Sequence, residues 1–260
     1  MIQTRPIKGN ATGSVAYSGQ YNGTDNSSDI RTRCTKRNTK RNAPMTAAVL
    51  AFISLSVSAV PSEATGWTGE LPAEGFRYDP AAHSREVTEC DRMASHPDDP
   101  NRVAPGMSRS KIDLPNAIKA CQAAVTNDPQ NPRLNYLLGR TLGYSGRGAE
   151  GLANRQVAVK AGYPQSLFVV GYMSLYGINQ QPKDVCLGAE MIRRAAFEDR
   201  LAGQLGFVQY VVTGLFDDCP VRKDKAEMLG FIAAARKEIG GDYYQGLLAD
   251  LLEHQLKQSQ

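Results

Sequence analysis

Apolar residues recur every three or four positions along residues 113–256, which is the spacing of helices with one buried face. Turns rich in Gly, Pro, Asn and Asp interrupt this pattern at intervals. Asp113, Asp184 and Asp224 each stand just before an apolar stripe, where a side-chain oxygen can cap a helix. Alternating runs typical of strands are nearly absent. The pattern therefore predicts a mainly α chain.

The interruptions divide this region into helical hairpins near residues 113–162, 164–197 and 200–238, followed by a single helix at 242–256. That last helix combines leucines with Gln-rich polar residues, which is typical of a unit that caps a helical repeat, because the end unit must face water. We therefore expect one continuous repeat domain over residues 113–256.

The two hairpins after residue 164 repeat one another. Gly171 and Gly206 are 35 residues apart, as are Ala161 and Ala196, and Gly139 precedes Gly171 by 32 residues. Periods of this size indicate tandem helical hairpins, each of which buries a face against the next. We expect the glycines at helix crossings, where a missing Cβ lets two backbones approach.

Each hairpin carries Leu and Gly in its first helix, a Gly in the turn, an Asp before the second helix and alanines at its end. The first copy has Leu167, Gly171, Gly177, Asp184 and Ala195-Ala196, and the second has Leu205, Gly206, Gly214, Asp224 and Ala233-Ala234-Ala235. With these motifs, residues 164–236 resemble two Sel-one-like repeats, a subclass of the tetratricopeptide superfamily. Residues 113–162 are similar to a plain tetratricopeptide hairpin through Ala117-Ile118, Asp128-Pro129, Leu138-Gly139 and Gly146-Arg147. The turns depart from the family pattern, since they lack its glycine-x-glycine-valine form.

The resemblance implies an α-solenoid of tandem antiparallel helix hairpins that serves as a non-enzymatic scaffold for a protein or peptide partner. It also implies a concave groove lined by the first helices. The groove residues so implied are Arg133, Tyr136, Arg140, Tyr144, Gln165, Phe168, Tyr172, Tyr176, Arg200, Phe207 and Tyr210. Tyr and Arg are enriched at binding hot spots, and Arg suits bidentate capture of a carboxylate. The alternative is that several of these tyrosines are half-buried packing residues.

Residues 1–44 are polar and basic and lack apolar periodicity, which predicts a disordered leader. Residues 45–64 hold an uncharged apolar run followed by small residues, which is typical of the hydrophobic region and cleavage site of a signal peptide. An uncleaved anchor and a buried core helix are the alternatives, although a membrane-spanning helix needs about 20 apolar residues. We therefore expect export to the periplasm or the secreted space, and contact with the membrane only through this signal.

Residues 65–112, here called the lead-in, are rich in Gly, Pro, Asp and Ser and predict an extended segment with one short helix from Ser84 to Ser95. Loss of the leader removes Cys34 and leaves four cysteines, an even number that in an exported chain predicts two disulfides. Of the three possible connectivities, the favoured one joins cysteines about one repeat apart, Cys90 with Cys121 and Cys186 with Cys219. Four buried thiols are the alternative.

The net charge of +4 comes from the leader. Of 30 Lys and Arg and 26 Asp and Glu, residues 1–45 hold eight basic and two acidic residues, which leaves 22 basic and 24 acidic ones. A mildly acidic remainder argues against a nucleic-acid groove. The chain has no Cys-x-x-Cys motif, and its histidines lack ligand spacing, so we expect no metal and no cofactor.

Ser108 and Lys111 form a Ser-x-x-Lys match, which raises the alternative of a cell-envelope hydrolase related to penicillin-binding or β-lactamase chemistry. That chemistry needs Lys one turn after Ser on a helix, whereas this match lies between Gly106 and Asp113 in a predicted loop. A purely structural spacer is the third possibility. The favoured function is a binding scaffold.

Overall fold

A computed structural model describes residues 71–258 of the chain. This part of the protein is mainly helical and contains no strand. Its α-helices are α1 Glu89–Ala94, α2 Leu114–Asn127, α3 Pro132–Tyr144, α4 Leu152–Lys160, α5 Pro164–Tyr176, α6 Val185–Phe197, α7 Leu201–Val212, α8 Lys225–Ile239 and α9 Tyr243–Gln258. The predicted leader and signal segment fall within residues 1–64, outside the described residues.

Three of the helices begin where the sequence places a capping aspartate. The side chains of Asp113, Asp184 and Asp224 accept hydrogen bonds from backbone N–H groups in the first turns of α2, α6 and α8. These bonds satisfy amides that have no partner within the helix. At the other end of α5, Gly177 has φ 65°, a left-handed conformation that glycine adopts without strain.

The helices pack in the order in which they occur. Each helix from α2 to α8 packs on the next one, and α9 also contacts α7. Tyr163 and Leu137 belong to a buried cluster centred on α2 and α3, whereas Ile192, Phe231 and Leu252 belong to a second cluster that extends to α9. The packing buries one face of α2 and of α8, as the apolar spacing predicted, whereas α3 is buried at every residue from Pro132 to Leu142.

Gly171 lies at the crossing of α5 and α6, as predicted. A Cβ on Gly171 would lie 2.9 Å from the Cβ of Met191 and 3.1 Å from the carbonyl oxygen of Gly188, closer than side chains normally approach. The prediction was wrong for Gly206, because a Cβ there would meet nothing nearer than 3.7 Å. On α7, Gly203 lies at the crossing instead. A Cβ added to Gly203 would lie 2.8 Å from the backbone nitrogen of Ala196.

The lead-in helix is shorter than predicted. It begins after Thr88, because the Thr88 side chain accepts from the N–H of Asp91 while the Asp91 carboxylate accepts from the N–H of Thr88. This reciprocal pair is a capping box, which fixes the start of a helix. The residues from Ser84 to Val87 consequently remain outside the helix.

Both predicted disulfides are present. Cys90 is bonded to Cys121 and Cys186 to Cys219, with Cα–Cα distances of 4.5 and 5.0 Å. The first bond ties α1 to α2, and the second ties α6 to the turn before α8. Two disulfides are typical of an oxidising, extracellular compartment. Within residues 71–258, no helix has the length and apolar character needed to cross a membrane.

Candidate functional site

The predicted groove residues lie on three helices that alternate along the chain, and we call their combined surface the first-helix face. On α3 they are Arg133, Tyr136, Arg140 and Tyr144, on α5 Gln165, Phe168, Tyr172 and Tyr176, and at α7 Arg200, Phe207 and Tyr210. On α3 and α5 the spacing is three, four and four residues, which places each set on one side of its helix. The structure divides this face into a part covered by the lead-in and a part that is open.

Arg133 belongs to the covered part, where it binds the lead-in. Its guanidinium donates to the carboxylate of Asp91 and to the carbonyl oxygens of Ser84 and Glu86, the last two at 3.2 Å. The side chains of Arg133 and Asp91 are 5% and 0% exposed. A buried guanidinium needs such partners, because desolvation without them is costly.

Arg140, two turns further along α3, binds the lead-in in the same way. It donates to the carbonyl oxygens of Ala94, Ser95 and Met107, the last two at 3.0 and 2.9 Å. These carbonyls lie at and beyond the end of α1, where no helical N–H is left to satisfy them. The lead-in is therefore fastened to α3 mainly through its backbone.

Tyr136 and Gln165 lie beneath this segment. The Gln165 amide donates to the Tyr136 hydroxyl at 3.2 Å, and burial raises the pKa of Tyr136. Close by, Tyr163 donates to the carboxylate of Asp99 in the lead-in at 2.7 Å. Burial is the main cause that raises the pKa of Asp99, and the Tyr163 hydrogen bond opposes it. The covered part is thus a buried polar layer between α3, α5 and the lead-in.

The prediction that Arg133, Tyr136, Arg140 and Gln165 would face a partner was therefore wrong. All four are buried, because the lead-in of the same chain occupies the surface that they form. The prediction also failed for Phe207, which is fully buried and packs against Phe216, with ring centroids 5.8 Å apart. Phe207 points into the core cluster of α6 to α9, since α7 is packed by α6, α8 and α9.

Tyr144 is also partly covered by the lead-in. The guanidinium of Arg109 lies 4.9 Å from the centre of its ring, and that of Arg140 lies 5.2 Å from it. Arg109 belongs to the 3₁₀-helix Arg109–Lys111, which begins directly after Ser108 and ends at Lys111 of the Ser-x-x-Lys match. Ser108 and Lys111 are both exposed, and among the described residues the hydroxyl of Ser108 has its hydrogen bond with Ser110, at 3.4 Å.

The open part of the face is a row of aromatic rings on α5 and α7. We call Phe168, Tyr172, Tyr176 and Tyr210 the aromatic ladder. Ring centroids are 6.4 Å apart between Phe168 and Tyr172 and 4.8 Å apart between Tyr172 and Tyr176. Burial raises the pKa of Tyr210, and the neighbouring Tyr176 hydroxyl adds to this shift.

The ladder is accessible from solvent. Tyr172 is 40% exposed and Tyr176 is 48% exposed, whereas Phe168 and Tyr210 are partly buried against the core behind them. Gly206 faces this row, since a Cβ there would touch the rings of Tyr210 and Phe168. The ladder is therefore a supported apolar surface with hydroxyl groups at its edge.

Arg200 lies at the Phe168 end of the ladder, next to the part of the face that the lead-in covers. It is the N-cap residue of α7, it is only 4% exposed, and its guanidinium lies 5.1 Å from the centre of the Phe168 ring. Its nearest carboxylate is that of Asp98 in the lead-in, 3.9 Å away and 64% exposed in its side chain. Burial lowers the pKa of Arg200, and the Asp98 charge opposes that shift.

His96 completes this boundary from the lead-in side. Burial, followed by the positive charges of Arg140 and Arg200, lowers the pKa of His96 to about 4, and Asp98 opposes the shift. His96 is therefore neutral at neutral pH. Its Nδ1 accepts a hydrogen bond from the backbone N–H of Asp98 at 3.1 Å, within the turn whose Asp98 side chain approaches Arg200.

Among residues 71–258, no group of three or more His, Cys, Asp or Glu side chains is placed to hold a metal ion. No protein-family model, no curated protein and no solved structure matches the chain.

Sequence reasoning missed the residues that the lead-in contributes to the face, which are Asp91, His96, Asp98 and Asp99. The predicted disulfide between Cys90 and Cys121 contained a signal for them. That bond ties the lead-in to α2, which is the neighbour of α3, and so brings it beside the first-helix face.

Proposed function

We propose that this chain is a non-enzymatic scaffold of the periplasm or secreted space, and that it binds a protein or peptide segment along the aromatic ladder. The fold we propose is an α-solenoid of tetratricopeptide- and Sel-one-like hairpins with α9 as its cap. The exposure of Tyr172 and Tyr176 on a supported row of rings carries the proposal.

The chemistry of the row favours a peptide partner. Tyrosine offers a large apolar ring that loses little conformational entropy on binding, together with a hydroxyl for the polar edge of the partner. The covered part of the face already holds an extended segment through arginine-to-carbonyl hydrogen bonds. The ladder continues this surface with side chains suited to the apolar residues of a second segment.

The location proposed is supported by two features. The disulfides Cys90–Cys121 and Cys186–Cys219 are stable in an oxidising compartment. The pattern of residues 45–64 is typical of an export signal.

The test is selection of a random peptide library on the full oxidised chain, followed by affinity measurement on variants. We expect Tyr172→Ala with Tyr176→Ala to weaken the selected peptides at least tenfold, because hot-spot tyrosines contribute about 2 kcal/mol or more. The matched control is Tyr243→Ala with Tyr244→Ala, which removes two exposed rings from α9 and should leave affinity unchanged. Equal losses in both double variants, or no loss in either, would contradict the proposal.

A further inference from the structure

Four buried side-chain polar atoms within residues 71–258 have no hydrogen-bond partner. Two lie in the first turn of α5, one in the first turn of α7 and one at the N-cap of α7. They are Gln165 Oε1, Ser166 Oγ, Arg200 Nε and Gln204 Oε1. Buried polar atoms are satisfied in nearly all proteins, so these exceptions require an explanation. Arg200 is the only charged residue among the four.

The surroundings of Arg200 are unfavourable for a buried cation. Its side chain is 4% exposed, its Nε is unpaired among the described residues, and the contact of its Nη2 with Asp98 is 3.9 Å long. By contrast, the buried Arg193 makes two short bonds to Glu227, at 2.6 and 2.7 Å. The chain therefore places a carboxylate within hydrogen-bond distance of Arg193 but not of Arg200.

Arg200 is only 4% exposed, and its Nη2 is the atom that the exposed side chain of Asp98 approaches, at 3.9 Å. Its guanidinium stacks on Phe168, the first ring of the aromatic ladder, and the exposed carboxylate of Asp98 approaches it from the solvent side. The position of Asp98 shows that an acidic group can approach Arg200 from outside.

We propose that Arg200 is an anion-binding residue at the Phe168 end of the ladder. It binds a carboxylate of the bound segment, either that of an acidic side chain or that of a chain terminus. A planar guanidinium binds a carboxylate through two parallel N–H···O bonds. Because Nε is buried, an incoming carboxylate reaches Nη2 first and pairs with Nε only after the side chain shifts. Asp98 of the lead-in competes weakly for the same group. This inference rests on the proposed function of the ladder, which would supply the ring contacts for the same ligand.

The experiment uses NMR titration of the full oxidised chain with two pairs of small probes. N-acetyl-tyrosine against N-acetyl-tyrosinamide tests a terminal carboxylate, and N-acetyl-Asp-Tyr-amide against N-acetyl-Asn-Tyr-amide tests a side-chain carboxylate. In at least one pair, we expect the acidic probe to bind about tenfold more tightly than its neutral counterpart, as a charge-assisted bond to a buried arginine predicts. The pair that shows the preference identifies the source of the carboxylate.

Variants assign the preference to Arg200. Arg200→Met should abolish the difference between acidic and neutral probes, and Arg200→Lys should retain part of it, since an ammonium binds a carboxylate without the bidentate geometry. Asp98→Asn should tighten binding of the acidic probe several-fold by removing the competing carboxylate. Arg236→Met, which alters an exposed arginine paired with Asp250 and Glu253, should leave the preference intact.

Equal binding of acidic and neutral probes, binding of none of them, or an acid preference that persists in Arg200→Met would overturn the assignment of Arg200. If the neutral probes bind and lose affinity in the Tyr172 and Tyr176 variant without any acid preference, the Arg200 inference fails while the ladder proposal stands. A role of Arg200 in folding alone would lower stability in Arg200→Met but would not produce the tighter binding expected in Asp98→Asn.

Discussion

The guanidinium of Arg133 on α3 donates to the carboxylate of Asp91 on α1, and both side chains are buried. This ion pair joins the lead-in to α3 across 42 residues of sequence. The Asp91 carboxylate also caps its own helix through Thr88. The buried Asp91 carboxylate therefore fixes where α1 begins and also holds α1 against α3.

We expect Asp91→Ala to lower the free energy of unfolding by about 3–5 kcal/mol, because it leaves the buried Arg133 without its counter-charge. Urea unfolding monitored by circular dichroism measures this loss. The control is Glu89→Gln in the same helix, where the exposed pair with Arg92 contributes less than about 1 kcal/mol. Similar small effects of both substitutions would show that the Arg133–Asp91 pair does not hold the lead-in.

The disulfide between Cys90 and Cys121 is expected to keep the lead-in on the first-helix face. Replacing both cysteines by Ala should lower the free energy of unfolding by about 3–4 kcal/mol, because the bond closes a loop of 31 residues. It should also expose the lead-in to limited proteolysis.

The matched control is the double Ala variant of Cys186 and Cys219. That disulfide closes a loop of 33 residues, so its removal should lower the free energy of unfolding by a similar amount. Mass spectrometry of the proteolytic fragments distinguishes the two variants. Cleavage between residues 84 and 107 is expected only without the bond at Cys90, and equal cleavage in both variants would contradict this role.

Gly171 tests the packing of α5 on α6. Gly171→Ala should destabilise the fold by about 1–3 kcal/mol, since the added Cβ would lie 2.9 Å from that of Met191. Gly230→Ala on α8 is the control, because a Cβ there meets nothing within 4 Å and alanine favours helix by about 0.5–1 kcal/mol. Opposite shifts of the unfolding midpoint are expected, and shifts in the same direction would be inconsistent with the crossing.

The lowered pKa of His96 predicts that the free energy of unfolding depends on pH. Its pKa is lowered to about 4 in the folded chain, so between the ordinary histidine pKa of about 6.5 and pH 4 the unfolded chain binds more protons. Stability therefore falls as the pH falls through this window, by up to about 3 kcal/mol from His96 alone. Asp99, whose pKa burial raises, acts in the opposite direction.

Comparison with His96→Gln separates these contributions. Chemical unfolding of both proteins from pH 7 to pH 4 should show a difference in stability that changes steadily, with the substituted chain losing less on acidification. If the two curves remain parallel, His96 is not buried as a neutral group.

The helices were predictable because their signals are local. The caps Asp113, Asp184 and Asp224 and the period of the apolar stripes lie within a few residues of the structure that they specify. The pairing of Cys186 with Cys219 followed from the same period. Each of these features depends on neighbours in sequence.

The division of the first-helix face was not predictable in this way. Arg133 and Arg140 have the spacing of groove residues, and nothing on α3 itself shows that their partners are backbone carbonyls of the lead-in. The crossing glycine of α7 was misplaced by three residues, because Gly203 and Gly206 fall on neighbouring positions of one helix. Contacts between distant segments depend on tertiary packing, which periodicity does not report.

The lead-in covers one part of the first-helix face and leaves the aromatic ladder open. Nitration of the full oxidised chain with tetranitromethane, mapped by mass spectrometry, tests this arrangement. We predict rapid modification of Tyr172 and Tyr176 and protection of Tyr136 and Tyr163, which are 3% and 0% exposed. Modification of Tyr136 or Tyr163 at the rate of Tyr172 in the folded chain would contradict the account.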